Sequence, residues 1–199
     1  MKRKTNSYFL SLILLLSLVA FSGCSMIFGK KKPEDEPLKT HTENGVSYDV
    51  PESYVSTTKV LSNNTQASVW TNDPEELDIA FTLTTLSAND ISLKDFNWIA
   101  TGYFSGKVTF MGQTVTVSPS VQNPKVIASE DVTINGNAGY KTKVTYDYTG
   151  FKEPFNVTET VYTFQIDDTI IYMIFSNKST VYSDYKLLID KIVESVKLV

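Results

Sequence analysis

One cysteine, Cys24, and one histidine, His41, are all that the 199-residue chain has of either. A lone thiol can form no disulfide within the chain, so the fold must rest on its apolar core. With 42% hydrophobic and 12% aromatic residues, one sizeable core is within reach. Because His41 falls in a polar amino-terminal stretch, a Ser-His-Asp site inside the folded domain is excluded by inventory. Acidic residues outnumber basic ones, 22 to 18. An acidic chain repels phosphate backbones, which argues against a nucleic-acid partner. No internal repeat and no long low-complexity segment is present.

What the chain does have begins at its amino terminus. Lys2, Arg3 and Lys4 precede the apolar run YFLSLILLLSLVAFSG, too short and wrongly flanked for a comfortable membrane span. Residues 1–23 therefore read as a signal peptide. The run ends in Phe21-Ser22-Gly23-Cys24, which resembles the bacterial lipobox, with Phe21 where leucine is usual. That resemblance implies that Cys24 receives a diacylglyceryl group and becomes the first residue of the mature chain. It also implies an extracytoplasmic protein held to the cell membrane by lipid, with the membrane as partner and thiol catalysis removed. Without residues 1–23, 15 basic residues face 22 acidic ones, a net charge of −7.

Residues 24–44 carry Pro33 and Pro37, many charges and no apolar periodicity, and read as a tether. A coil of about 20 residues has an end-to-end distance of roughly 25 Å. Met26, Ile27 and Phe28 are placed to enter the bilayer interface. Lys30, Lys31 and Lys32 either attract anionic headgroups or form a solvated linker.

A single domain is expected over 45–199. Val46, Tyr48 and Val50 alternate with polar residues up to Pro51, and Ile79, Phe81 and Leu83 alternate in the same way. Strands are also expected near 54–61 and 67–71. Ser92 and Asp95 resemble a capping box ahead of a helix bearing Leu93, Phe96, Ile99, Ala100 and Tyr103. The stretch TVTVSPSVQNPK reads as an irregular connection or short edge strand. Asn135-Gly136 is a strong hairpin signal between a strand over 126–134 and a return strand that carries Tyr140, Val144, Tyr146 and Tyr148 near one face. Further strands are expected over 157–166 and 169–176. The second of these, TIIYMIFS, is apolar at consecutive positions, as a strand covered on both faces would be. Tyr185, Leu188, Ile189, Ile192, Val193 and Val196 form one helical stripe over about 180–196. The class expected is α+β, an antiparallel sheet flanked by helices.

Three stretches together resemble the PsbP-like superfamily, which includes envelope lipoproteins of the DcrB type: DVPESY at 49–54, INGNAGYK at 134–141, and the terminal DKIVESVK at 190–197. The resemblance implies an α/β/α sandwich over Gly45 to Val199 and a partner-binding role. It carries over no catalytic residue and no cofactor.

The remaining candidates for chemistry are few. Ser183 and Lys186 match S-x-x-K, a nucleophile motif of penicillin-recognising enzymes. The partner elements are missing, and Lys141-Thr142-Lys143 is the nearest approach to K-T-G. An envelope hydrolase using this pair or carboxylates is the alternative to a non-catalytic module. Asp73, Glu75, Glu76 and Asp78 read as a solvated turn rather than a calcium loop, and His41 with Glu36 and Glu43 as linker rather than metal site. Gly136 and Gly139 belong to a hairpin, not to a phosphate cradle. Tyr146, Tyr148, Phe151 and Phe155, with Tyr140, form an aromatic-rich zone suited to binding a ligand or an envelope protein, though inner-face sheet residues would look alike. Asn63, Asn156 and Asn177 head N-x-S/T sequons expected to be unmodified.

Overall fold

The computed structural model describes residues 32–60, 66–72, 78–103, 107–110, 113–116, 119–150 and 153–199. Cys24, the acidic residues at 73–76 and Phe151 lie outside them. Residues 33–43, read above as the end of the tether, are part of the fold. A 3-10 turn at Pro33–Asp35 leads into strand β1 (Leu38–Glu43), which pairs antiparallel with β2 (Val46–Pro51). Asn44 and Gly45 make the turn between them with φ of 51° and 78°, a left-handed pair of the kind that hairpins require.

The remaining strands follow in chain order: β3 (Val55–Val60), β4 (Gln66–Thr71) and β5 (Ile79–Ser87). Helix α1 (Leu93–Tyr103) comes next, then β6 (Lys107–Phe110), β7 (Gln113–Thr116), β8 (Val121–Ile134), β9 (Asn137–Tyr148), β10 (Phe155–Ile166) and β11 (Thr169–Lys178). Helix α2 (Tyr182–Glu194) and the short β12 (Lys197–Leu198) close the chain. Seven strands form one sheet in the order β3-β4-β5-β11-β10-β9-β8, every neighbouring pair antiparallel. The stretch expected to be irregular holds β7 and the start of β8, whose register shifts around Pro124 and again near Ile127. Such bulges let an edge strand run on past a residue that has no amide to donate.

The alternation of β11 shows why the sheet is central. Ile171, Met173 and Phe175 join one core with Phe81, Leu83, Phe164 and the buried stripe of α2. Ile170, Tyr172 and Ile174 join a second core with Phe96, Ile99 and Ala100 of α1. One face of the sheet is thus covered by α2 together with β2 of the small sheet β1-β2-β12, and the other by α1.

The capping residue of α1 acts as its sequence suggests. Ser92 Oγ accepts the Asp95 amide at 3.1 Å and donates to the Asp95 carboxylate at 2.7 Å. The turn at Asn135 (φ 51°) and Gly136 (φ 81°) does more than reverse the chain, because Asn135 Nδ2 donates to the Glu194 carbonyl at 2.7 Å, an orphan acceptor at the end of α2. Among the described residues no helix is long and apolar enough to cross a membrane.

Candidate functional site

The aromatic zone divides between core and rim. Tyr146 is buried on the α1 side of β9, while Tyr148 and Phe155 are half-buried against the edge of that core, their rings 5.8 Å apart. These two are partners in register, the last residue of β9 and the first of β10. Lys178 Nζ sits 6.0 Å from the Phe155 ring centroid and 3.9 Å from the carboxylate of Asp78. Gly150 packs directly over Tyr148, so that a Cβ there would run into the phenol ring and its oxygen. The rim of the zone is therefore Tyr148 and Phe155, and Tyr146 points inward.

What Tyr146 points at was missed in the sequence. Its hydroxyl donates to Glu159 Oε2 at 2.9 Å, and Ser176 Oγ donates to the same oxygen at 3.2 Å. Glu159 is 1% exposed, opposite Ser176 on β11 and Val144 on β9, and its Oε1 has no hydrogen-bond partner among the described residues. Burial raises its pKa from 4.5 to about 7, partly offset by the two hydroxyl donors, which favour the charged form. Burial and the neighbouring carboxylate push the Tyr146 phenol well above its ordinary range. The carboxyl therefore exchanges its proton near neutrality from inside the sheet. The signal that could have found it is the run Val157-Thr-Glu159-Thr-Val161, where strand alternation puts a carboxylate on a face otherwise set by valines.

His41 also departs from expectation. It lies on β1, edge-on to Tyr48 at 5.4 Å and to Trp70 at 5.0 Å between ring centroids, with Nε2 3.9 Å from Glu43 Oε2. The domain thus contains an imidazole, and exclusion by inventory does not hold. Geometry replaces it: Glu43 accepts the Tyr48 hydroxyl, the Ser68 amide at 3.2 Å and the Ser68 hydroxyl at 2.9 Å, while Trp70 Nε1 donates to Tyr48 Oη at 3.0 Å. The acid stands between the serine and the histidine, so Ser68 gives its proton to carboxylate rather than to imidazole, the reverse of a nucleophile–base–acid relay. The network locks β1 and β2 onto β4.

Ser183 and Lys186 are both exposed on α2, and Ser183 Oγ donates to the adjacent Asp184 at 3.3 Å. Among the described residues no group of three or more His, Cys, Asp or Glu side chains comes together as a metal-binding cluster. Trp98, on the outer side of α1, is 59% exposed, and with Tyr148 and Phe155 it places aromatic surface on the α1 side of the sheet.

No family model and no curated protein sequence matches the chain. Among solved structures, cyanobacterial PsbP (CyanoP) from Synechocystis sp. PCC 6803 superposes with a TM-score of 0.54 at 11% identity, covering 81% of this chain and 92% of that one. The fold is PsbP-like. The Ran-binding protein Mog1p of Saccharomyces cerevisiae matches with a TM-score of 0.49 at 14% identity, over 82% of this chain and 96% of that one. LpqN, involved in cell envelope biogenesis of Mycobacterium tuberculosis, also matches at 0.49, with 12% identity and coverage of 81% and 90%. At these identities the likeness concerns the fold, and function has to be argued from this chain's own residues.

Proposed function

We propose that this protein is a lipid-anchored component of the bacterial cell envelope, acylated on Cys24, whose domain binds a partner beside the membrane and performs no catalysis of its own. The observation that carries the reading is Phe21-Ser22-Gly23-Cys24 at the end of a basic and apolar leader. The partner-binding half rests on the aromatic surface of the α1 side, where Trp98 is exposed and Tyr148 and Phe155 form a rim. Tyrosine, tryptophan and phenylalanine bring large contact area with few rotatable bonds, which suits them to interfaces.

Two experiments test the two halves. Replacing Cys24→Ala should abolish labelling by fatty acid and release the protein from the membrane fraction. Retention as firm as wild type means that the apolar leader itself is the anchor. Crosslinking in the native envelope should capture a partner through the α1 side, with capture weakened by Trp98→Ala and Phe155→Ala. Turnover by the purified domain that disappears with Ser183→Ala or Lys186→Ala overturns the non-catalytic reading.

A further inference from the structure

The point at which the described residues begin, Lys32, limits how the domain can stand on a membrane. Lys32 to Glu36 pack beside α2, where Lys191 Nζ donates to the Glu34 carbonyl at 2.7 Å, and the Glu52 amide donates to the Pro37 carbonyl at 2.9 Å. From Cys24 to Lys32 is eight residue steps. At about 3.6 Å per residue they reach at most roughly 29 Å, whatever their conformation. A helix–sheet–helix sandwich is roughly 30 Å thick, from two layer spacings of about 10 Å and two helix radii of about 5 Å. A chain entering beside α2 would have to pass round the edge of the sheet to bring the outer side of α1 to the anchor point, a longer path than the thickness. The α2 side is thus the nearer one to the anchor point and needs no path round the sheet.

The α2 side also carries a fitting surface. Leu187 is 55% exposed at the middle of α2, on the same side as Lys191 one turn on, the residue that pins the entering chain. The exposed charges of this helix balance, Lys186 and Lys191 against Asp184 and Glu194, so neither sign dominates. We propose that the outer face of α2, centred on Leu187, rests on the lipid surface to which Cys24 is attached, and that α1 with Trp98 faces away from it. The inference rests on anchoring at Cys24. It adds an orientation: the bilayer takes the α2 side and leaves the aromatic α1 side open to a partner.

The test separates orientation from acylation. The chain from residue 24 onward, which contains the whole described fold, is coupled through its only thiol to a maleimide lipid in phosphatidylcholine vesicles containing brominated phosphatidylcholine. Emission from the native exposed Trp98 should be insensitive to the bromine. In a Leu187→Trp, Trp98→Phe variant emission should be quenched several-fold more strongly, with buried Trp70 a constant background in both. Equal quenching at the two positions, stronger quenching at Trp98, or none at position 187 overturns the proposal. A second readout needs no substitution: acetylation of Lys186 should slow several-fold on coupling while that of Lys94, exposed on α1, does not change. Equal rates at the two lysines also overturn it. Acylation in the cell is read separately, from the mass of the amino-terminal peptide. An unmodified Cys24 sinks the anchoring reading even where the coupled protein shows the expected contrast.

Discussion

The two faces of the central sheet are built from the same strands and differ sharply. Toward α2, β5, β10 and β11 present Phe81, Leu83, Tyr162, Phe164, Met173 and Phe175, with Phe81 and Phe175 stacked at 5.2 Å. Toward α1, those strands present Thr82, Thr84, Glu159, Thr163 and Ser176 among the apolar residues, and Thr82 Oγ1, Thr163 Oγ1 and Glu159 Oε1 have no hydrogen-bond partner among the described residues. Both faces exclude water; the α2 face is the richer in aromatic side chains, but it also buries Thr160 and Asn177, and Asn177 Oδ1 and Tyr54 Oη have no hydrogen-bond partner among the described residues. The α2 side is further tied by Tyr162 Oη to Asp190 at 2.8 Å, by Lys141 to Asp190 at 3.5 Å, and by the Lys143 ammonium 4.0 Å from the Tyr182 ring centroid. The comparison teaches a division of labour. The side that receives the entering chain packs the larger aromatic core, and the α1 side buries a carboxylate whose Oε1 has no hydrogen-bond partner among the described residues.

The largest expected effect lies on the α2 face. Phe175→Ala should lower stability by about 4 kcal/mol through lost burial and the cavity left behind, read as a shift in the urea midpoint. A cost near that of a surface substitution would erase the contrast between the faces. Next in size is the pH dependence of the α1 face. Glu159 keeps its proton in the folded chain up to about pH 7 but releases it near 4.5 when unfolded. Between those values the folded state binds more protons, so stability falls as pH rises. The full stability is present below pH 4.5, and the loss, about 3 kcal/mol, is complete above about pH 7. Glu159→Gln, which cannot ionise, should flatten that step in denaturation curves taken from pH 4 to pH 8. A step that survives the substitution assigns it to another group.

Smaller effects refine the same picture. Asn135→Gly keeps a residue at ease with positive φ and removes the bond to the Glu194 carbonyl, so it should cost about 1 kcal/mol, read in thermal unfolding. The smallest change is expected for Thr163→Val, one residue along β10 from Phe164 but facing α1. Removing a buried hydroxyl that lacks a partner should leave stability within about 1 kcal/mol of wild type or raise it. A large loss would mean that this hydroxyl has a partner, and that the α1 layer is better satisfied than its geometry indicates.

Much of the α2 side was legible in residue order. The stripe from Tyr185 to Val196 is buried in full, the Asn135-Gly136 turn is in place, and the doubly apolar run of β11 is covered on both faces. These signals are local: each depends on a periodicity or a backbone preference that a few residues carry. The hairpin at Asn44-Gly45 bears the same turn signal as Asn135-Gly136, yet the strand before it, LKTHTE, has almost no apolar residue to mark it. Its pairing is held instead by Glu43 on Ser68 and by His41 against Trp70, contacts more than 20 residues apart in the chain. For Tyr146 residue order left core and surface open for a related reason, since an inward tyrosine with a carboxylate partner and an outward one with solvent have the same sequence pattern.

Pattern along the chain was enough to establish the antiparallel class, the two amphipathic helices and the double coverage of β11, because these follow from composition, short spacings and turn chemistry. Folding in three dimensions assigned Glu159 to the interior, brought His41 into the domain, sorted the aromatic residues into core and rim, and brought the chain in beside α2. Each of those outcomes depends on which distant strand or helix comes to lie against a residue, and no local preference encodes that choice.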